Sequence, residues 1–153
     1  MQTTFGHKLR VRACGICTNE TGILLVSQRL LGNDFWSPPG GGIDFGESAE
    51  TCLKREFAEE TGLTVEVGDF LFACEFIQKP LHAIELFFNI NSHSGHLALG
   101  SDPELPANHQ LLTDLKFIEW HEIKRMDHNS LHGLFRILND PIAITQLRGY
   151  YKL

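Results

Sequence analysis

The chain has 153 residues, a length typical of one domain, and 42% of them are hydrophobic. Its 13 basic and 19 acidic side chains give a formal net charge of −6, which argues against a general nucleic-acid-binding surface, because such surfaces are basic. Four cysteines are too few for a disulfide scaffold, and the sequence has neither an apolar secretory segment nor a run of about 18 apolar residues. We therefore expect one cytoplasmic domain spanning residues 1–153, with no nucleic-acid or membrane partner.

Strands are expected to dominate the chain, because most apolar segments are short and rich in β-compatible residues. Their expected positions are 8–18, 23–27, 63–67, 70–77, 82–90 and 115–120. A turn at 19–22 would join the first two strands into a hairpin. The polar segment 92–109 is expected to be a loop, and the chain from Pro141 onward a short tail.

Two helices are expected, at 48–61 and 131–138. Ser48 suits the N-cap of the first helix, and Gly62 suits the position after its last turn. Residues 31–46, which contain two prolines and a glycine triplet, are expected to form a loop. Many strands with two helices favour an α+β fold with a mixed sheet over a doubly wound βαβ fold.

The first expected helix carries carboxylates where apolar side chains belong. On a helical projection its apolar stripe consists of Ala49, Cys52, Leu53 and Phe57. Glu56 and Glu60 fall within this stripe and Glu59 lies on its flank, so the spacing brings the three carboxylates to one side. Their mutual repulsion and the negative end of the helix dipole make this costly, and a hard divalent cation, Mg²⁺ or Mn²⁺, would offset the cost. The alternative is a solvated acidic face paired with Lys54 and Arg55.

The segment before this helix is rich in glycine, from Gly40 to Gly42. Glycines let the backbone approach a ligand closely and expose its amides and carbonyls. Alone, such a segment is more often a plain turn. Next to a carboxylate-rich helix it becomes a candidate platform for phosphate and metal.

Together these residues resemble the signature of the Nudix hydrolase family, to which MutT-like proteins belong. The matching positions are Gly41, Glu47, Arg55, Glu56, Phe57, Glu59, Glu60, Gly62 and Leu63. Every specified spacing is met, and Phe57 departs mildly because it is bulkier than the usual aliphatic residue. With weaker matches on both sides, the resemblance covers most of residues 8–123. It implies an α/β/α sandwich around a mixed β-sheet, formed by a single Nudix hydrolase domain.

The resemblance implies hydrolysis of a nucleoside diphosphate linked to another moiety, as in a nucleoside triphosphate, ADP-ribose or a sugar nucleotide, by water attack on phosphorus. Glu56, Glu59 and Glu60 would bind Mg²⁺ or Mn²⁺, with a backbone carbonyl at Gly40 as a further ligand. Glu56 would also polarise the attacking water, and Arg55 would hold a catalytic glutamate by a charge-assisted bond. Bound metal would reconcile an acidic protein with an anionic substrate.

Further residues are candidates for supporting roles. Glu47 would assist the site electrostatically or structurally, and Gly41 would let the backbone approach phosphate. Arg12 and Arg29 are candidate phosphate contacts, with plain surface charges as the alternative.

Many relatives also carry an acid outside the signature, as a metal ligand or a base. Asp114 is the first candidate for this acid. Glu104 and Glu119 are alternatives, as is Glu85, which could instead point outward from its strand.

Three alternatives stay open. A catalytically silent Nudix domain would act as a nucleotide sensor or protein-binding module, although every glutamate of the signature is present. Dimerisation is common among relatives, so a homodimer is a candidate assembly. Cys14 and Cys17 have the spacing of a redox or zinc pair, but in a strand their side chains would face opposite ways.

Overall fold

The computed structural model describes residues 7–30, 32–100 and 111–153. In these ranges the strands are β1 (Leu9–Ile16), β2 (Gly22–Leu30), β3 (Asn33–Ser37), β4 (Gly40–Gly42), β5 (Thr64–Gln78), β6 (Leu81–Ser94), β7 (Leu112–Glu119) and β8 (Gly149–Lys152). The α-helices are α1 (Ala49–Thr61), α2 (Trp120–Arg125) and α3 (Leu134–Ile137). Short 3₁₀ helices cover His128–Ser130 and Pro141–Gln146. None of the helices in the described part of the chain combines the length and apolar character needed to span a bilayer.

The strands form two hydrogen-bonded sheets. The larger is a mixed sheet in the order β4-β1-β6-β5-β8, in which β1 runs parallel to β6 and β5 parallel to β8. The smaller is antiparallel, in the order β3-β2-β7. The predicted α+β class with a mixed sheet is confirmed, and the strands divide between two sheets.

Each sheet contributes side chains to two apolar clusters on opposite faces. The first cluster joins the sheets to α1 and contains Ala13, Cys17, Leu24, Cys52, Leu53, Phe57, Leu63, Val65 and Ile90. The second joins them to the C-terminal helices and includes Cys14, Ile16, Leu25, Phe72, Phe87, Ile118, Ile123, Leu134 and Ile144. The helices therefore cover both faces, which gives the α/β/α layering. Cys14 and Cys17 lie in different clusters, which agrees with their predicted opposite orientation.

Helix α1 begins and ends as its sequence predicts. The hydroxyl of Ser48 accepts a hydrogen bond from the amide of Thr51 at 3.1 Å, and Gly62 adopts a left-handed conformation with φ of 74°. The amides of Ala98 and Gly100 donate to the last turn of the helix, each at 2.9 Å. These donors satisfy carbonyls at the negative end of the helix dipole, close to the glutamates of the signature.

Two predictions near the N-terminus are wrong. The turn at 19–22 forms, with the amide of Asn19 donating to the Gly22 carbonyl at 3.0 Å. However, β1 and β2 do not pair as a hairpin, because they belong to different sheets, and the antiparallel bridge between Thr18 and Ile23 lies beyond the end of β1. The expected loop at 31–46 contains two strands, β3 and β4. β4 consists of glycine alone and pairs with β1 through its backbone, so no pattern of side chains in the sequence predicts this strand.

The later elements also differ from their predicted bounds. The two strands expected at 63–67 and 70–77 are one strand, β5, whose pairing with β6 is interrupted by bulges around Gly68. The helix expected at 131–138 is the four-residue helix α3. The expected tail ends in β8, which pairs with β5.

Candidate active site

The glycine strand β4 lies at the edge of the mixed sheet, beneath α1. Gly41 is paired with Ala13 of β1, and a Cβ atom at Gly41 would overlap the carboxylate of Glu56. The sulfhydryl of Cys52 also contacts this strand, at 3.6 Å from the Gly41 carbonyl. The absence of a side chain at Gly41 therefore lets Glu56 lie directly against the backbone.

A second glutamate of α1 reaches the same strand. Glu60 is 8% exposed and accepts a hydrogen bond from the amide of Gly40 at 3.3 Å. Burial, together with the charge of Glu56, raises the pKa of Glu60 to about 8. Burial also raises the pKa of Glu56, although Arg55 opposes the shift. Two carboxylates thus share a poorly hydrated position in which negative charge is unfavourable.

Arg55 fixes the orientation of Glu56. Its Nε and Nη2 atoms donate to the two carboxylate oxygens of Glu47, both at 2.9 Å, while Nη1 donates to Glu56 at 2.8 Å. This fork geometry is one that only arginine provides. The hydrogen bonds from Arg55 hold the pKa of Glu47 at about 2. Glu47 therefore stays ionised at neutral pH and holds the guanidinium of Arg55 in place.

Glu59 stands apart from the other two glutamates. Its carboxylate is 30% exposed and lies 3.6 Å from Arg55 Nη1. Across residues 7–30, 32–100 and 111–153, no three His, Cys, Asp or Glu side chains are arranged to hold a metal ion. The structure brings Glu56 and Glu60 together, and leaves Glu59 on the flank where the helical projection places it.

The opposite face of β4 carries positive charge. Arg12 Nη2 donates to the Gly40 carbonyl at 3.4 Å. Arg10 Nη2 lies 3.3 Å from the position that a Cβ atom of Gly42 would take. A single edge strand therefore separates the carboxylates of α1 from two arginines of β1. Arg12 was a candidate from the sequence, whereas Arg10 was missed; its alternation with Arg12 along β1 was the available signal.

Glu85 is buried rather than directed outward. It is 4% exposed, and its two oxygens contact Arg12 Nη1 at 2.5 Å and His132 Nε2 at 2.6 Å. Burial raises the pKa of Glu85, but His132 and Arg12 outweigh it and bring the pKa to about 2. The outward orientation considered from the sequence is therefore wrong, because Glu85 shares the inward face of β6 with Phe87.

The structure does not bring Asp114 to the glutamates of α1. Asp114 is exposed and accepts a hydrogen bond from the amide of Leu115 at 2.7 Å. Alternation along β7 places it on the face of Ile118, which packs in the cluster of the C-terminal helices, on the side away from α1.

The remaining candidates also lie elsewhere. Arg29 is exposed and pairs with Asp34 at 3.1 Å. Glu119 is exposed and lies 3.2 Å from His121 Nδ1. Glu104 lies outside the described residues. No hydrogen bond or ion pair of the described residues links Arg29 or Glu119 to the edge at Gly40 and Gly41.

Comparison with known proteins identifies the family. The family model of the NUDIX domain matches residues 7–136. The chain belongs to the NUDIX family. This membership confirms the resemblance of the signature, and the predicted class, a Nudix hydrolase, agrees with the names of curated relatives.

Two such relatives are an RNA pyrophosphohydrolase of Sphingopyxis alaskensis and an 8-oxo-dGTP diphosphatase of Haemophilus influenzae. The first is 44% identical over 143 residues, which cover 84% of this chain and 90% of the relative. The second is 39% identical over 79 residues, which cover 50% of this chain and 57% of the relative. The match to the Haemophilus protein thus spans little more than half of that protein's length.

A solved structure supports the Nudix fold independently. The MutT protein of Methanosarcina mazei superposes with a TM-score of 0.68 at 20% identity, covering 89% of this chain and 92% of that one. At this identity the likeness concerns the fold. Within the Nudix fold of this chain, the signature runs from β4 through the following turn and α1 to Gly62 and Leu63, just after the helix.

The Nudix signature does not include His132, which sequence reasoning missed. Its partner Glu85 lies 47 positions earlier in the chain. No local pattern around His132 indicates this pairing, since only the folded C-terminal segment brings the two residues together. The charged residue within the apolar segment 83–88 was the available signal for Glu85.

Proposed function

We propose that this Nudix domain hydrolyses a phosphoanhydride bond of a nucleotide, in which a nucleoside diphosphate is linked to another moiety, with a divalent cation. The observation that carries the proposal is the pair of partly buried Glu56 and buried Glu60 against the backbone of Gly40–Gly42, here called the glycine edge, with Arg12 on the other side of that edge. The names of the curated relatives, both of which describe cleavage of phosphate chains, support the reaction class.

The donor set at this edge suits Mg²⁺ or Mn²⁺. All candidate ligands are hard oxygen atoms: the carboxylates of Glu56, Glu59 and Glu60 and the carbonyl of Gly40. Burial and mutual repulsion raise the pKa of Glu60 to about 8, which indicates a place where positive charge is favourable. When bound, the cation would supply Lewis acidity, neutralising phosphate charge and lowering the pKa of a coordinated water.

The protein's own residues would orient the reaction. Arg55, anchored by Glu47, holds Glu56 in place, and Glu56 accepts the proton of the attacking water. Arg10 and Arg12 hold phosphate oxygens on the other face of β4, which offsets the negative charge of the substrate. Because β4 has no side chains, its backbone can approach the phosphate chain closely.

A free nucleotide is the favoured substrate, and a nucleoside triphosphate is the first choice. The formal net charge of −6 gives a long nucleic acid little electrostatic attraction. A second candidate is the 5′-triphosphate end of RNA. The observation that favours it is the name of the Sphingopyxis relative, an RNA pyrophosphohydrolase, whose match covers most of both chains.

A substrate panel tests the proposal. The protein is incubated with Mg²⁺ and GTP, 8-oxo-dGTP, ADP-ribose or a 5′-triphosphorylated RNA oligonucleotide, and the released products are identified. We expect a free nucleotide to be cleaved with the higher kcat/KM. Preference for the RNA, with a steep loss of kcat/KM as salt rises, would favour the second candidate.

Variants separate catalysis at this edge from contaminating activity. Glu60→Gln is nearly isosteric and should lower kcat by about 100-fold or more, because it removes a carboxylate ligand of the proposed cation. Asp114→Asn is the matched control and should leave kcat unchanged, since Asp114 is exposed on β7, on the side of its sheet away from α1. Tight nucleotide binding without turnover of any panel member would favour the sensor alternative, and an active Glu60→Gln variant would contradict the proposed site.

A further inference from the structure

A largely buried polar chain connects the C-terminal segment to the glycine edge. It runs from His132 through Glu85 to Arg12, and from Arg12 to the Gly40 carbonyl. His132 and Glu85 are 6% and 4% exposed, respectively. The Nε atom of Arg12 is buried with no hydrogen-bond partner among the described residues. Its guanidinium is therefore held by its Nη atoms, and Glu85 is the anionic partner that sets its direction.

The hydrogen bonds of His132 define its tautomer. The amide of Leu134 donates to Nδ1 at 3.0 Å, so Nδ1 acts as an acceptor and carries no proton. Nε2 therefore carries the ring proton and donates to Glu85 at 2.6 Å. His132 thus fixes one oxygen of Glu85 and leaves the other for Arg12.

The backbone of His132 is tied to the strand that leads into the glycine edge. Its amide donates to the carbonyl of Trp36 at 2.9 Å, and Leu131 forms a bridge with Trp36. The ring of His132 lies 5.6 Å from that of Phe87, centroid to centroid. Because its backbone, its ring and both ring nitrogens are in contact with neighbours, His132 is suited to impose one geometry on Glu85.

We propose that His132 is a positioning residue that acts through Glu85 to hold Arg12 in the orientation that binds phosphate. The inference rests on the proposed function, because it assumes that the glycine edge receives a phosphate chain. Without His132, Glu85 would keep its charge but lose its fixed direction. Arg12 would then sample several orientations, and the free-energy cost of ordering its side chain on binding would weaken the affinity for phosphate.

The test measures binding of inorganic pyrophosphate by calorimetry without metal, alongside KM and kcat for the best substrate of the panel. His132→Phe keeps a ring against Phe87 and removes the donor. We expect it to raise both the pyrophosphate Kd and KM about tenfold, the size typical of removing an outer partner of a binding group, with kcat nearly unchanged. His132→Gln, which keeps a donor near the Nε2 position, should restore binding, whereas His132→Asn should not.

A double-mutant cycle tests whether the effect passes through Arg12. Arg12→Lys keeps a cation beside buried Glu85 and should itself weaken pyrophosphate binding. Combined with His132→Phe, it should be no worse than Arg12→Lys alone, because the two changes remove the same orientation. If the two fold-increases in pyrophosphate Kd multiply in the double variant, His132 does not act through Arg12 and the proposal is wrong. An unchanged Kd in both His132→Phe and His132→Asn would also overturn it.

The matched control is a second histidine–glutamate pair, formed by His82 on β6 and Glu75 on β5. His82 Nε2 lies 2.8 Å from Glu75, and this pair has no hydrogen bond to Arg12. His82→Phe should leave the pyrophosphate Kd and KM unchanged, so equal effects at both histidines would indicate a general structural cause. An unchanged pyrophosphate Kd in Arg12→Lys would show that Arg12 does not bind phosphate, and would therefore also overturn the positioning role of His132. Hydrolysis that is lost in Glu60→Gln would still support the proposed reaction.

Discussion

Glu56 lies so close to Gly41 that any side chain at position 41 would overlap its carboxylate. The proposed reaction therefore depends on a glycine that has no chemistry of its own. We expect Gly41→Ala to displace Glu56 and to lower kcat by about 100-fold, because small misplacements at a reacting centre are costly. Steady-state kinetics on the best substrate of the panel measures this effect.

The neighbouring glycine supplies the comparison. A Cβ atom at Gly42 would meet Arg10 Nη2 at 3.3 Å, and the end of a flexible arginine can move. Gly42→Ala should therefore reduce kcat much less than Gly41→Ala. Equal losses in the two variants, at equal melting temperatures, would contradict the specific role of the Gly41–Glu56 contact.

We expect that lysine cannot take over the role of Arg55. It donates to Glu47 through Nε and Nη2 and to Glu56 through Nη1, which an ammonium group cannot reproduce. Arg55→Lys should thus lower kcat by about 100-fold through loss of Glu56 orientation. Lys54→Ala, a change at the exposed neighbour that pairs with Glu50, should leave kcat unchanged. Retention of full activity in Arg55→Lys would show that charge alone suffices.

The sequence predicted α1 and its charged residues because their signals are local. Ser48 and Gly62 mark its ends by their own conformational preferences, and the fixed spacing of Glu56 and Glu60 places them on one face. Arg55 contacts the glutamates as the family resemblance implies. These features depend on residues within one or two helical turns of each other.

The features that the sequence did not predict depend on distant contacts. β4 consists of glycine, which has no side-chain alternation, and it becomes a strand only by pairing with β1. The burial of Glu85 depends on two distant partners, Arg12 and His132, which contact its two carboxylate oxygens from 73 and 47 positions away. Pattern reasoning treats a charged residue in a strand as solvent-facing, and here a tertiary partner reverses that preference.

Divalent metal is expected to stabilise the folded protein by binding to the glutamates of α1. Added Mg²⁺ should raise the melting temperature of the wild-type protein, since a ligand that binds only the native state stabilises it. Glu56→Gln and Glu60→Gln should abolish this increase, whereas Glu50→Gln, an exposed change on the same helix, should preserve it. A chelator should reverse the increase. An identical response in Glu60→Gln and wild type would place the metal elsewhere.

Stability should fall in acid through Glu85. Its pKa is about 2 in the folded protein, against an ordinary value of 4.5, so above pH 4.5 it is ionised in both states and its stabilising contribution is complete. Between pH 4.5 and 2 the unfolded chain binds a proton first, and this contribution is lost. Urea unfolding across that window should show a shallower decline for Glu85→Gln than for wild type, despite its lower stability at neutral pH, because the ion pair with Arg12 is gone. Glu50→Gln should decline in parallel with wild type, and parallel behaviour of Glu85→Gln would instead assign the acid sensitivity to other carboxylates.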